Sequence, residues 1–313
     1  MSVSRASSKA DGRWAVVTLE TRAGSAEALA GRARAAFGVE PVQLLRPDSD
    51  RAWVELYFDN SAAALLAARA GAGWPGVAGT AVRDVAPRAW QRFWRRHFHA
   101  RAIGKRLAIL PAWERRRRAL RGRAVVRVEP GLSFGTGDHF TTRYCLEAIE
   151  RLCRSKPPAS LLDVGCGSGI LAIAAAKLGV RRVVAFDHDP QAVAQARKNL
   201  RLNRVTPRVR LRVGDALGPP PRRPFEVVCA NLFGGLLIRA AEALCAAAKW
   251  RIVLSGLRET EADAVIRAFL RRGAREIERD GDGEWCGAML AVDNTAHNRG
   301  ITPVAVDSDL AEE

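Results

Sequence analysis

Two short apolar runs separated by an alanine-rich segment dominate the hydrophobic pattern in the second half of the chain. Leu161, Leu162 and Val164 form the first run, and residues 182–186 form the second. Short apolar runs predict buried strands, and the longer stretch 170–178 between them predicts a helix. A strand, a helix and a strand in this order indicate a β-α-β unit of a parallel sheet.

Further apolar runs extend this pattern towards residue 292. The elements predicted there are a helix at 141–153, strands at 208–213, 225–230 and 251–255, helices at 236–248 and 259–270, and a hairpin around 280–283. Because strands alternate with helices, we predict an α/β fold with a Rossmann-like doubly wound sheet.

The first part of the chain has a different order of elements. Its pattern predicts strands at 14–20, 42–46, 52–58 and 80–85, and helices at 25–37 and 61–70. This β-α-β-β-α-β order is typical of a small ferredoxin-like α+β domain. Such a domain is a plausible platform for recognising a substrate, although a fold alone does not establish binding.

A glycine-rich turn and a carboxylate follow the two strands of the β-α-β unit. Gly165, Gly167 and Gly169 lie directly after the first strand, and Asp187 ends the second. Glycine is favoured there because a side chain would hold a ligand away from the backbone. A carboxylate at the second strand end accepts both hydroxyls of a ribose. These residues predict an adenosine site; the alternative is a glycine-rich turn of some other α/β protein.

The spacing of the glycines favours S-adenosylmethionine over a dinucleotide. A dinucleotide fold carries G-x-G-x-x-G above a helix N-terminus that takes the pyrophosphate. Here the glycines alternate, and Asp163 stands two positions before the first. S-adenosylmethionine has a sulfonium and an ammonium but no phosphate, so a carboxylate near the turn attracts it. We therefore expect S-adenosylmethionine as the cofactor.

Two later strand ends carry polar residues at the same edge of the predicted sheet. Asp215 is placed to meet an adenine edge, with a solvated loop acid as the alternative. Asn231 offers an amide carbonyl that accepts hydrogen bonds from an amine and orients its lone pair at a methyl group. A turn-forming asparagine is the alternative there. We predict Asn231 as the catalytic residue, and cofactor contacts from Gly165, Gly167, Asp187, Asp215 and Asn231.

Several longer motifs separate this chain from a generic α/β protein. They are PGLSFGTGDHFTT at 130–142, LLDVGCGSGILAIAAAKLG at 161–179, FDHDPQA at 186–192, NLF at 231–233, and WRRHF, IGKRL and PAWE at 94–98, 103–107 and 111–114. Together they resemble the PrmA family, the bacterial methyltransferases of the large-subunit ribosomal protein numbered eleven. The resemblance extends over about residues 14–292.

The resemblance implies an S-adenosylmethionine-dependent enzyme that methylates lysine and N-terminal amino groups of that ribosomal protein. Thr142, Gly165, Asp187 and Asn231 match the positions that contact the cofactor in the family. The ferredoxin-like domain is implied to dock the substrate. The predicted organisation is a disordered segment at 1–12, the ferredoxin-like domain at 13–87, a basic linker at 88–123, the methyltransferase domain at 124–292 and a flexible tail at 293–313.

The chain departs from the family pattern near the predicted site. Asp138 stands where the family has threonine, Phe140 stands where it has proline, and Asn231 is followed by Leu-Phe-Gly instead of Ile-Leu-Ala. The carboxylate of Asp138 adds negative charge that favours a cationic substrate amine. These departures leave the exact target open.

Composition places the chain among ordinary globular proteins. Its 313 residues are 48% hydrophobic, which is enough for two domains with their own cores. Six cysteines without a C-x-x-C pair predict reduced core residues and no metal site. Neither a membrane-spanning run nor a signal peptide is evident, so we expect a cytoplasmic protein. We also expect a monomer.

The net charge of +17 is concentrated in one segment. Residues 88–123 contain thirteen Lys or Arg residues and one acid, Glu114, with aromatic residues between them. Such a strip attracts a polyanion, so a contact with ribosomal RNA is one interpretation. The alternative is a solvated linker whose aromatic residues pack inward.

Methyl transfer to an amine mainly requires alignment and a neutral nucleophile. We expect desolvation to lower the pKa of the amine and Asn231 to orient it. His139 either relays a proton or holds its loop by hydrogen bonds. Two other functions compete: methylation of another protein, such as an electron-transfer flavoprotein subunit, and nucleic-acid binding on a methyltransferase scaffold. An adenine methyltransferase is disfavoured because Asn231 is not followed by Pro-Pro-aromatic.

Overall fold

The chain folds into two compact units, Met1–His97 and Phe98–Glu313. A computed structural model describes residues 14–37, 39, 41–45, 49–58, 61–85, 98–115, 118–129 and 139–292. The segment predicted to be disordered at 1–12 and the predicted tail at 293–313 lie outside these residues.

The first unit contains a four-stranded antiparallel sheet and two helices. The elements are β1 Trp14–Arg22, α1 Ala26–Phe37, β2 Val42–Leu45, β3 Arg51–Phe58, α2 Ser61–Ala72 and β4 Gly79–Val85. The strand order is β2-β3-β1-β4. This topology confirms the predicted ferredoxin-like α+β fold.

Alternation along the strands sorts side chains between the two faces of this sheet. Ala15, Val17 and Leu19 of β1 are buried in the core with residues of both helices. On the opposite face, Glu55 accepts hydrogen bonds from Tyr57 and Arg83 at 2.5 and 2.7 Å. The buried carboxylate is therefore paired.

The second unit is built on a seven-stranded sheet. Its strands are β8 Ser160–Val164, β9 Arg182–Asp187, β10 Val209–Val213, β11 Phe225–Asn231, β12 Ala248–Arg258, β13 Ala274–Gly281 and β14 Trp285–Val292. Its helices are α3 Phe140–Leu152, α4 Ile170–Lys177, α5 Pro190–Asn203, α6 Gly234–Ala247 and α7 Glu259–Leu270.

The strand order of this sheet is β10-β9-β8-β11-β12-β14-β13. Strands β8 to β12 are parallel, and β14 is antiparallel to both of its neighbours. Every residue of β8 is buried, as expected for a central strand covered on both faces. The order reverses between β8 and β11, which is the switch point where open α/β sheets bind ligands. The predicted Rossmann-like fold is confirmed.

Part of the predicted basic linker is folded. Strands β5 Arg101–Ile103 and β6 Leu107–Pro111 form a three-stranded sheet with β7 Ala124–Val128, and all three belong to the second unit. Phe98 is buried and packs edge-on against Trp113 at 6.1 Å between ring centroids. Trp90, Phe93 and Trp94 lie outside the described residues.

The six cysteines are all buried and carry free thiols, as predicted for core residues. Among the described residues, no helix is both long and apolar enough to cross a membrane.

Candidate functional site

The predicted site residues lie at the ends of three neighbouring strands. Val164 of β8 is in register with Phe186 of β9 and with Ala230 of β11. The next residue of each strand is therefore Gly165, Asp187 or Asn231, side by side at the carboxyl edge. Neighbouring strands are about 4.8 Å apart, so Asp187 and Asn231 flank the glycine turn at about 10 Å from one another.

The turn after β8 requires glycine at three positions. Gly165, Gly167 and Gly169 have φ values of +70°, +50° and +78°, a region that residues with a Cβ rarely adopt. A Cβ on Gly165 would lie 2.4 Å from Cδ2 of Leu232. The Leu232 side chain therefore covers the turn on that side.

Asp187 bonds to the turn through its side chain. Its Oδ2 accepts the N–H of Gly167 at 2.8 Å, and its Oδ1 accepts the N–H of Asp189 at 3.1 Å. The carboxylate is buried, and Nδ1 of His188 lies 3.2 Å from Oδ1. Because each carboxylate oxygen has two lone pairs, both retain acceptor capacity for the hydroxyls of a ribose.

Asp163 is a fully buried carboxyl one residue before the end of β8. Its Oδ2 accepts the N–H of Ala172 in α4 at 3.0 Å, and its Oδ1 makes no hydrogen bond within the described part of the chain. Burial raises the pKa of Asp163 to about 7, and the negative charge of Asp187 adds to this effect. Burial also raises the pKa of Cys166, so the thiol in the turn stays protonated and is not a nucleophile.

Asn231 ends β11 with a half-buried side chain that makes no hydrogen bond to the described residues. Its position depends on Gly256 of β12, which has a φ of +80°. A Cβ at Gly256 would lie 2.8 Å from Oδ1 of Asn231 and 2.7 Å from the carbonyl oxygen of Leu232. Gly256 therefore gives the Asn231 amide its space.

Sequence reasoning missed Gly256, because the residues it accommodates are on a different strand. The only local signal was a glycine within an apolar strand, which indicates a bulge or a close backbone approach. The β12–β14 register shifts at this point, between Leu254 and Leu257.

Thr142 and His139 lie at the start of α3. The Thr142 hydroxyl is buried without a hydrogen-bond partner among the described residues, so it has free capacity for a ligand. The Nδ1 atom of His139 lies 2.9 Å from the Thr141 hydroxyl and accepts the Thr141 N–H, which caps the helix. Its ring packs edge-on against Trp285 at 4.8 Å. These contacts favour the holding role over the proton relay.

Asp215 is exposed in the loop after β10. Its Oδ1 accepts the N–H of Leu217 at 2.9 Å, so it stabilises the turn in addition to any contact with an adenine. Asp138 and the glycine loop at 130–138 lie outside the described residues.

Three amides on α5 anchor the segment that leads to this loop. Asn203 exchanges two hydrogen bonds with the backbone of Arg127, at 2.8 and 2.6 Å. Asn199 accepts the N–H of Glu129 and donates to the carbonyl of Ser168, at 2.9 Å each, and Gln195 donates to the Glu129 carbonyl at 2.6 Å. These side-chain amides thus bond to the backbone of residues 127 and 129, as the main chain of a neighbouring strand would.

The residues present fit an adenosine bearing a sulfonium better than a metal. Two buried oxygens, Thr142 Oγ1 and Asp163 Oδ1, have acceptor capacity to spare, and the turn that follows β8 has glycine at three positions of positive φ. Within the described residues, no three His, Cys, Asp or Glu side chains come together in a way that would hold a metal ion.

Comparisons with known proteins agree with this fold. The profile of the family described as "Ribosomal protein L11 methyltransferase (PrmA)" matches residues 32–292. A ribosomal protein L11 methyltransferase of Geobacter sulfurreducens is 41% identical over 236 residues, which are 75% of this chain and 74% of the relative. Another, of Citrifermentans bemidjiense, is 38% identical over 227 residues, with 70% of this chain and 72% of the relative covered.

A solved structure of similar fold is described as the ribosomal protein L11 methylase from Lactobacillus delbrueckii subsp. bulgaricus. Its TM-score is 0.58 at 28% sequence identity, and the match covers 63% of this chain and 100% of that chain. The predicted family resemblance is confirmed, and the chain belongs to the ribosomal protein L11 methyltransferase (PrmA) family.

Proposed function

We propose that this protein transfers methyl groups from S-adenosylmethionine to lysine and N-terminal amino groups of ribosomal protein L11. The observation that carries the proposal is the alignment of Gly165, Asp187 and Asn231 at one edge of the sheet. This edge is where an open α/β sheet binds its ligand. Family membership and the L11 methyltransferases that the chain resembles support the choice of substrate.

The cofactor contacts divide between the strand ends. Asp187 accepts the ribose hydroxyls, the backbone at Gly165 and Gly167 gives the close approach, and Thr142 donates or accepts with its hydroxyl, which has no partner among the described residues. Asp215 meets the adenine edge from the loop after β10. S-adenosylmethionine, when bound, supplies a methyl group on a sulfonium, which is already a good leaving group.

Asn231 orients the nucleophile. Its amide makes no hydrogen bond within the described residues, so its oxygen is available to accept from a neutral amine. A lysine amine has an ordinary pKa of about 10.4 and an α-amine one of about 8, so both must lose a proton before attack. Removal of water around the amine favours the neutral form, and the Asn231 carbonyl then directs its lone pair.

Intact-mass spectrometry of purified L11 after incubation with the enzyme and S-adenosylmethionine tests the proposal. We expect increments with the wild-type enzyme and none, or far fewer, with Asn231→Ala. L11 whose amines have been acetylated beforehand is the substrate control and gains no mass, because an amide nitrogen has no lone pair available for attack. If the wild type binds the cofactor in a calorimetric titration but adds no methyl group, the substrate assignment is wrong.

We also propose that the first unit recognises the protein substrate, that the enzyme acts as a monomer in the cytoplasm, and that residues 88–123 contact ribosomal RNA. Arg115 and Arg118 of this strip are exposed. Replacing both with glutamine should weaken ribosome binding and leave the methylation of free L11 unchanged. Equal loss of both activities would instead indicate a structural role.

A further inference from the structure

A cavity of about 260 Å³ in the second unit is lined by three cations. This volume is several times the 30 Å³ or so that one water molecule occupies in the liquid, so it admits a solvated anionic group. The lining residues are Val125, Arg127, Lys177, Leu202, Asn203 and Arg204.

The cavity lies at the edge of the parallel sheet opposite to the glycine turn. Helix α4 begins at the turn and returns to the start of β9, so its last residue, Lys177, is at the amino edge of the strands. Helix α5 likewise begins after β9 and returns to the start of β10. Arg204, which follows its last residue, is therefore at the amino edge as well. The cavity is therefore separate from the methyl-transfer site.

The positive charges around the cavity are not balanced. Arg127, Lys177 and Arg204 form no ion pair with any acid in the part of the chain that the structure describes. Arg127 donates instead to the backbone carbonyl of Glu114 at 2.9 Å. Burial lowers the pKa of the Lys177 amine, and the charge of Arg127 lowers it further. The attraction of an anion between these groups would oppose both effects on the Lys177 amine.

A structural explanation accounts for part of this arrangement. Lys177 and Arg204 are at helix C-termini, where a cation interacts favourably with the partial negative charge. That effect does not account for Arg127, which lies on a strand and faces Lys177. Nor do partial charges at two helix ends offset three full positive charges.

The surface beside the cavity is also basic. Residues 190–214 contain seven Lys or Arg residues and no acid, and all seven are exposed. They are Arg197, Lys198, Arg201, Arg204, Arg208, Arg210 and Arg212. Seven exposed cations between Asp189 and Asp215 favour a polyanion over a single small anion.

We propose that the cavity formed by Arg127, Lys177 and Arg204 binds a backbone phosphate of RNA, which continues along the basic surface of residues 190–214. Arg127 is held in place by the Glu114 carbonyl and presents a fixed guanidinium, a geometry suited to phosphate oxygens. Arg204 has a left-handed backbone with a φ of 57°. The site lies outside the predicted basic linker and does not depend on the proposed methyl transfer.

The test compares two double variants of the full-length protein with equal loss of charge. Lys177→Gln with Arg204→Asn removes two cavity cations, and asparagine tolerates the left-handed backbone. Lys249→Gln with Arg271→Asn removes two exposed cations elsewhere on the second unit. The probe is a short fluorescein-labelled single-stranded RNA, titrated by anisotropy at several salt concentrations, and thermal unfolding shows that both variants fold.

We expect the cavity variant to lower the slope of log affinity against log salt by about 0.7, the value for one lost phosphate contact on a single strand. From a 1 M reference this amounts to about 5-fold weaker binding at 0.1 M salt. The control variant should keep the slope, and both should bind S-adenosylmethionine as the wild type does. The proposal is overturned if both variants lose RNA affinity equally or if neither loses any. A parallel titration with polyglutamate tests an acidic peptide as the partner. The proposal is also overturned if the cavity variant loses polyglutamate binding and retains RNA binding.

Discussion

The carboxylate of Asp187 accepts the backbone N–H of Gly167, with 2.8 Å between Oδ2 and the nitrogen. The end of β9 is thereby fixed to the glycine turn, three residues beyond the end of β8. Asp187 therefore shapes the turn and, in the proposed cofactor site, offers its remaining lone pairs to the ribose. The two tasks are separable by experiment.

Asp187→Ala should weaken S-adenosylmethionine binding by about 10- to 100-fold, because charge-assisted hydrogen bonds are worth about 1.5 to 3 kcal/mol. It should also cost about 1 to 3 kcal/mol of unfolding free energy, since the half-buried residues Gly167 and Asp189 lose the acceptor of their N–H groups. Isothermal titration calorimetry and urea unfolding measure the two effects.

The matched control is Asp189→Ala. Asp189 is two residues away and caps α5 by accepting the Gln191 N–H at 2.8 Å. Its removal should cost about 1 kcal/mol of stability and leave cofactor affinity unchanged. If both alanine variants weaken binding equally, Asp187 does not hold the ribose.

Gly165→Ala should weaken cofactor binding far more than it destabilises the fold. The φ of +70° costs about 1 to 2 kcal/mol for alanine, and the Leu232 side chain can rotate away from the new methyl group. That methyl group and the displaced Leu232 then occupy the space where the ligand approaches. Calorimetry should therefore show a large loss of cofactor affinity, and urea unfolding should show only the smaller loss of unfolding free energy.

Gly273→Ala isolates the backbone cost. Gly273 has a φ of +85° and would place its Cβ in open space. We expect a similar loss of unfolding free energy, within about 1 kcal/mol, and unchanged cofactor affinity. The same affinity in both variants would show that Gly165 does not face the cofactor.

Local patterns in the sequence predict the second unit well where a strand or helix is continuous and apolar. Strand β8 and helix α4 follow the predicted bounds closely, because their residues are almost all buried and apolar. The turn between them was also predictable, since its glycines are required by backbone conformation. Such features depend on residues that are neighbours in the sequence, so the hydrophobic pattern indicates them.

Features that depend on distant contacts were not predictable in the same way. Helix α5 carries charged residues on one side and amides on another, so its apolar pattern is narrow, although Asp189 and Pro190 form a usual helix start. Strand β5 has only three residues and lies in a basic segment. Helix α5 bonds to β7, and β5 pairs with β6. The positions of both partners are fixed by the tertiary fold.

Asn203→Ala should remove a link between α5 and β7. The buried amide is the partner of both the N–H and the carbonyl of Arg127, so we expect a loss of about 2 kcal/mol or more in urea unfolding. Hydrogen exchange of the Arg127 amide should accelerate. Gln195→Ala, which removes one bond from a less buried amide, should cost less than about 1 kcal/mol. Unchanged protection at Arg127 would contradict this role for Asn203.

Asp163→Asn should change how stability depends on pH. Burial raises the pKa of Asp163 from 3.8 to about 7 in the folded chain. Below about pH 4 the carboxyl is protonated in both the folded and the unfolded chain, and its contribution to stability is fully present. Between about pH 4 and 7 the unfolded chain releases the proton first, so stability is lost as pH rises, by up to about 4 kcal/mol. Asparagine stays neutral and avoids this loss.

The free energy of unfolding of Asp163→Asn, relative to the wild type, should therefore increase by a few kcal/mol from about pH 4 to 8 in urea titrations without cofactor. Asp263→Asn is the control of opposite sign, because hydrogen bonding to Arg279 lowers the pKa of the exposed Asp263 carboxyl. That variant should lose stability relative to the wild type as pH rises through about 4, the unfolded pKa, and should show little further change up to pH 8. A constant difference for Asp163→Asn across this range would mean that Asp163 ionises in the folded protein as it does in the unfolded chain.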